Sequence, residues 1–233
     1  MYERNTKSTN GFRQRTGIIL AIIYLLVVSK FISKKISKEK FKKVFAIIHK
    51  ILGITLIVFS IFHMILVWPL MEQRPFSMFI LGFIMIFLGL IEWFSYIFRK
   101  KLKKNWIVIH RVVAAMLLIC ILTHVIIGIT SMNTYLMRIQ DIQVENVDLS
   151  NVKPGVYIGD YDAGYIYAKV KVTVKDNKIV SVDLLEHRNE RGIKAEVITE
   201  DMVKYQKVKV DAVTTATNSS KVIMKAVENA LEE

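Results

Sequence analysis

Cysteine is almost absent from this chain: Cys120 is the only one in 233 residues, so no disulfide can close within it. Cysteine usage therefore says nothing about redox compartment, and Cys120 itself reads as a small apolar residue. Proline is also scarce, with three in all, and two of them, Pro69 and Pro75, share the segment WPLMEQRPFS. No glycine-rich nucleotide loop occurs, which excludes direct oxidation of NAD(P)H by this polypeptide unless a partner supplies the site. Acidic residues are few in the first half, where residues 1–130 hold 4 Asp/Glu against 19 Lys/Arg, a net +15. Residues 131–233 hold 16 against 14, a net −2. The overall +13 thus belongs to short stretches between apolar runs, and this excludes a nucleic-acid binder.

What the chain has in quantity is apolar residues, 53% of the total with a mean hydropathy of +0.37, too much for an ordinary soluble protein. They gather in four runs, Gly17–Ile32, Val44–Leu70, Phe76–Phe98 and Trp106–Thr130. The last three exceed the ~20 residues that cross hydrocarbon, whereas the first is short and contains Lys30. Four spanning helices are expected, the first of them marginal. The segment Lys30–Lys43 holds seven Lys and one Glu, and Arg99–Lys104 holds five cations, so the positive-inside rule puts both in the cytoplasm. The near-neutral WPLMEQRPFS segment is then an outer turn, and everything after residue 131 emerges outside. The basic tail with Arg4, Lys7, Arg13 and Arg15 fits this less well, because four spans put it outside too. A secretory signal is the competing reading of residues 1–29; no A-x-A-like cleavage site follows, which favours an uncleaved anchor.

Four of the five histidines lie in the membrane half, His49 and His63 on the second run, His110 and His124 on the fourth. Each pair is 14 residues apart. That spacing turns a helix through about 1400°, returning both rings to within roughly 40° of one face and ~21 Å apart along the axis. The second and fourth spans run in the same direction, so His49 faces His110 at the inner level and His63 faces His124 at the outer level. The depths agree: His49 lies six residues after Lys43, and His110 six after Lys104. Opposed imidazoles across a helical bundle suit six-coordinate haem, although each ring could instead cap an interhelical hydrogen bond. The pattern resembles the membrane modules of the ferric-reductase-like and cytochrome-b type over about residues 41–130. The resemblance implies two haem b groups ligated by His49, His63, His110 and His124. It departs from the six-span members in size and in lacking their nucleotide-binding domain. Lys50 and Arg111, each directly after an inner histidine, could neutralise haem propionates or snorkel to headgroups. Glu92 is expected to pair with Lys50 or another nearby cation, or to serve proton transfer to a quinone. The aromatics of EWFSYIF fit an interfacial belt.

From Gly155 the pattern changes. AKVKVTVK alternates with period two, Asp176-Asn177 offers a turn, and KIVSVDLL resumes the alternation, which predicts a hairpin. ERGIKAEVITEDMVKYQ has helical spacing, KVKV reads as a short strand, and SSKVIMKAVENALEE predicts a second helix with Ser219 or Ser220 as N-cap. His187 reads as a solvated residue at a strand end. The loop DAVTTATNSS, Asp211–Ser220, aims hydroxyls and free amides at a helix N-terminus, a good place for phosphate. It resembles the attachment motif D-x-x-[S/T]-G-A-T of the covalent FMN-binding domain, found in subunits of sodium-pumping NADH:quinone oxidoreductases. The resemblance spans about Pro154–Leu231 and implies FMN esterified through its phosphate to Thr217 by a flavin transferase outside the cytoplasm. Asp211, Thr214, Thr215 and Ala216 fill the preceding motif positions. Thr215 stands where glycine is usual, and a positive φ there would be strained. A place near the isoalloxazine ring is the alternative to a solvated strand end for His187.

The sequence therefore reads as an all-α membrane four-helix bundle followed by a small extracytoplasmic α+β domain. The expected boundaries are a haem-binding part at 1–135, a linker at 136–153 and an FMN-binding part at 154–233. The expected function is electron transfer across the cell membrane, from a cytoplasmic or quinol donor through two haems to covalent FMN, which reduces an outer acceptor. Expected partners are the flavin transferase, membrane lipid and a quinone or redox subunit. The alternatives are a membrane-anchored FMN module, or a subunit of a larger ion-pumping redox complex without haems of its own.

Overall fold

The computed structural model describes residues 2–28, 39–189 and 191–232, with the side chains of residues 2–14, 39 and 40 left out. Most of the basic loop expected at Lys30–Lys43 lies outside the described residues. The chain divides into two compact units, Ser8–Ile129 and Thr130–Glu233, the latter joined by Met1–Lys7.

Apolar runs without internal proline give the long helices α2 (Glu39–Val67), α3 (Phe76–Ile97) and α4 (Asn105–Asp141), the last continuing into the second unit, while α1 (Tyr2–Val28) joins a polar first half to a shorter apolar run. A 3₁₀ turn, Trp68–Leu70, follows α2 with Pro69 in its first turn, and Pro75 ends that connection by standing just before α3. A single helical turn, Arg99–Leu102, and Lys103 at φ 50° reverse the chain between α3 and α4. Three of these helices are long and apolar enough to cross a membrane: Phe41–Leu70, Phe76–Ile97 and Asn105–Asp141. The apolar part of α1, Arg15–Val28, is shorter. Large side chains such as Ile65 (67%), Phe87 (64%) and Ile119 (64%) stand exposed on the protein alone, the pattern of helices whose outer surface is made for lipid. Short as it is, α1 is tied to its neighbours along its whole apolar length. Thr16 reaches His63, Val27 reaches His49, and the Tyr24 hydroxyl donates to the Ala114 carbonyl at 2.9 Å.

The second unit is a three-stranded antiparallel meander, β1 (Gly155–Asp162), β2 (Tyr167–Lys175) and β3 (Lys178–Arg188), in that order. The hairpin β2–β3 forms where alternation predicts it. Asp176 and Asn177 both adopt positive φ, 52° and 56°, as a type I′ turn requires. On β2 the inward residues Ala168, Val170, Val172 and Val174 are all but fully buried, while Lys169 and Lys171 face away. Two helices cover this apolar face: α5 (Ile198–Tyr205) packs on β3, and α6 (Thr217–Glu232) on β1 and β2. Gly159 on β1 is where α6 comes closest, since a Cβ there would strike the Ala230 amide and the Ala226 carbonyl.

Three local expectations are corrected. KVKV is not a strand: Val208 is buried, but the Lys209 amide donates to Asn146 Oδ1 at 2.9 Å, and among the described residues no strand pairs with it. Neither Ser219 nor Ser220 caps α6, which starts earlier at Thr217 because the Ala216 carbonyl takes the Ser220 amide at 2.9 Å. His187 is not solvated; its side chain is 2% exposed, with Nδ1 2.8 Å from Glu196. Residues 136–153 include Ile139, Ile142, Val144 and Val152, which lie in the core of the second unit.

Candidate functional site

The threonine loop is built around one tight turn. The Ala216 amide donates to the Val213 carbonyl at 2.9 Å, which places Thr214 and Thr215 at the two central positions. Thr215 has φ 73°, the left-handed value that a type II turn needs there and that glycine adopts without cost. Ser220, fully buried, holds this turn against α6: its hydroxyl donates to the Ala216 carbonyl (3.1 Å) and accepts the Val213 amide (3.1 Å). Ala216 is buried, whereas Asp211, Thr214, Thr215 and Thr217 are exposed. Thr217 opens a helix of 16 residues with no acidic residue in its first turn. Its hydroxyl is thus presented to solvent at the positive end of the helix, where an attached phosphate is favoured by free amides and dipole.

Side chains distant in sequence meet around Thr217. The next residue, Asn218, donates from Nδ2 to the Tyr135 hydroxyl at 2.9 Å. Tyr135 stacks on Tyr165 with centroids 5.0 Å apart, and Ser131 donates to the Tyr165 hydroxyl at 2.9 Å. On the other side, a Cβ at Gly192 would collide with the Ser219 side chain, so only glycine lets that loop lie against the first turn of α6. These neighbours come from far along the chain, and the motif spacing gave no sign of them.

In the membrane unit the four histidines lie at two levels. The His49 and His110 rings are 5.9 Å apart with planes at 88°. Two imidazoles on opposite sides of one metal have ring centres about 6 Å apart, given metal–nitrogen bonds of ~2 Å. His63 and His124 are near enough to act on each other electrostatically. The ring nitrogens are oriented by different partners. His49 Nδ1–H donates to the Val27 carbonyl at 3.0 Å; since a carbonyl only accepts, Nε2 is the lone-pair nitrogen. His110 Nδ1 meets Glu92 Oε2 at 2.7 Å, and His63 Nδ1 meets Thr16 Oγ1 at 2.8 Å. His124 Nδ1 is buried with no hydrogen-bond partner among the described residues. A Cβ on Gly17 would come within 3.4 Å of the His63 ring, so α1 offers its slimmest surface to that imidazole.

Glu92 therefore pairs with His110 and not with Lys50, whose ammonium lies over the Tyr96 ring at 5.9 Å. A depth count could have found it: Glu92 stands seven residues before Arg99 and His110 six after Lys104, on antiparallel neighbours. Thr16, Gly17 and Val27 carried no such signal. Among the described residues no three or more His, Cys, Asp or Glu side chains gather as a metal site; a bis-imidazole site needs only two. Tyr96 is flanked by Arg99 (4.3 Å from its ring) and Trp106, a cation–aromatic cluster that suits a membrane interface.

No curated protein and no solved structure matches this chain. Residues 164–232 match the model of a protein family described as the FMN-binding domain. That stretch contains β2, β3, both covering helices and the whole threonine loop, and it supports an FMN-binding domain in the C-terminal part of a chain whose described residues include three helices able to span a membrane.

Proposed function

We propose that this protein is a transmembrane electron conduit, with FMN esterified to Thr217 on the outer side and two haem b groups held by His49/His110 and His63/His124. The observation that carries the conduit is the His49–His110 pair: two imidazoles at the separation of axial ligands, on helices 18 or more residues long, each anchored through Nδ1. The groups supply the redox chemistry when bound, haem taking one electron at a time and flavin one or two.

The chain's own contribution is position. The α2 and α4 helices set the two histidine levels, and the Nδ1 partners fix ring orientation. Lys50 and Arg111, next to the inner ligands, balance propionate charge. Asp211, Thr214, Thr215 and Ala216 shape the turn that a flavin transferase reads, and Thr217 supplies the hydroxyl that is esterified. The basic segments hold the histidine-rich unit in the membrane with its inner end in the cytoplasm, so residues 131–233 face outward and hand electrons to an outer acceptor. The donor is a cytoplasmic or quinol-type reductant, with NAD(P)H reaching the conduit only through a partner.

A membrane-anchored flavin module without haems is the second reading. It is favoured by the fact that three Nδ1 atoms already have protein partners, as structural histidines would. An absorption spectrum of the purified protein, read beside in-gel flavin fluorescence for wild type, Thr217→Ala and His110→Ala, decides between them. The conduit requires haem bands in the wild type, reduced in His110→Ala, and fluorescence lost only in Thr217→Ala. Bound flavin without haem bands leaves the anchored module; fluorescence surviving in Thr217→Ala removes the attachment site.

A further inference from the structure

The four imidazoles are not held alike, and the difference lies in charge. His49 donates to a carbonyl and His63 meets a hydroxyl, both neutral, whereas His110 meets the carboxylate of Glu92 at 2.7 Å, the length of a charge-assisted hydrogen bond. His124 Nδ1 has no partner among the described residues. Glu92 is 15% exposed, and among the described residues its second oxygen, Oε1, is buried without a hydrogen-bond partner and no Lys or Arg shares the charge directly. Between Phe41 and Thr130 only Glu72 and Glu92 are acidic, and Glu72 lies in the turn between α2 and α3. Among the described residues, one side of the unit therefore has an anion pressed on a ligand ring, and the other does not.

A carboxylate that accepts the Nδ1 proton makes the imidazole a stronger electron donor through Nε2, which favours the oxidised state of a metal bound there. In a water-poor setting the same charge acts at close range with little screening. We infer that Glu92 is a positioning residue that makes the His49/His110 level the lower-potential of the two. Electrons then run downhill from that level to the His63/His124 level and on toward the flavin side. Each transfer moves one electron, oxidising the donor level and reducing the acceptor level, with no bond made or broken. This inference rests on the haem reading above.

The test is a redox titration of the full-length protein in lipid nanodiscs, followed by the reduced-haem absorption band, with Glu92→Gln and Glu92→Asp beside the wild type. The wild type should titrate as two one-electron components, and His110→Ala should remove the lower. Glu92→Gln should raise the lower component's reduced-to-oxidised ratio at fixed potential at least tenfold, 59 mV for one electron, and leave the upper in place. Glu92→Asp, which keeps the carboxylate, should stay near wild type. If Glu92→Gln cannot hold the lower component, Glu92→Asp carries the test: a rise there overturns the assignment. So do an unmoved lower component in Glu92→Gln, equal movement of both, or loss of the upper component in His110→Ala. A wild-type spectrum without haem is a different failure, seen before any titration, and it removes the haem reading itself.

Discussion

Thr215 holds the left-handed position of the turn that precedes α6. The motif it resembles has glycine at this place, and the backbone here adopts φ 73°, a region that a β-branched side chain enters only under strain. A non-glycine residue held in that conformation costs on the order of 1–3 kcal/mol, while glycine loses up to ~1 kcal/mol more chain entropy on folding. Thr215→Gly should therefore stabilise the C-terminal unit by about 1 kcal/mol, seen as a higher midpoint in denaturant unfolding followed by a probe in residues 131–233. A lowered midpoint would show that the threonine side chain makes up for its backbone. Thr217 is a contrasting case: its side chain is exposed, so Thr217→Ala should leave that midpoint within about 0.5 kcal/mol while abolishing attachment.

Among the elements, α6 matters most because it both closes the core and presents the threonine. Its inward residues Val222, Ile223, Ala226, Val227 and Ala230 are essentially fully buried, and their helical spacing was plain in the sequence. The partner surface was not: α6 lies on β1, a strand outside the hairpin that alternation predicts, and it does so across Gly159. Gly159→Ala would press a methyl group onto the Ala226 carbonyl and the Ala230 amide, backbone atoms that cannot rotate away. A loss of about 3 kcal/mol is expected from such overpacking, measurable as a fall in the unfolding midpoint, with FMN attachment falling in step. An unchanged midpoint would mean that α6 can lift off the sheet. The missing KVKV strand follows the same rule. Alternation shows which side chains can be buried, but a strand also needs a neighbour for its backbone, and here a side chain, Asn146, takes the Lys209 amide.

At the scale of the whole molecule, charge decides orientation. If Arg99–Lys104 sits in the cytoplasm, residue 232 is outside, and Glu232→Cys in a Cys120→Ala background should react with a membrane-impermeant maleimide in intact cells. Changing Lys100, Lys101, Lys103 and Lys104 to Gln should lower that labelling several-fold by mixing the orientations. Labelling that needs broken cells would reverse the topology. The features that point to a membrane unit and a flavin unit are local in the chain: the length of apolar runs, the place of lysines, alternation in the hairpin, and the threonine loop before a helix. All were legible because each is set by neighbours a few residues apart, through helix or strand periodicity and through transfer of side chains out of water. What the tertiary structure decided are pairings between distant residues: Thr16 with His63 across 47 positions, Glu92 with His110 across 18, Asn218 with Tyr135 across 83. A single polar contact leaves no repeating trace in the sequence, yet in a water-poor interior it fixes which nitrogen of an imidazole carries the proton. The sequence by itself determined that four imidazoles would stand at two depths; only the fold determined that one of them leans on a carboxylate.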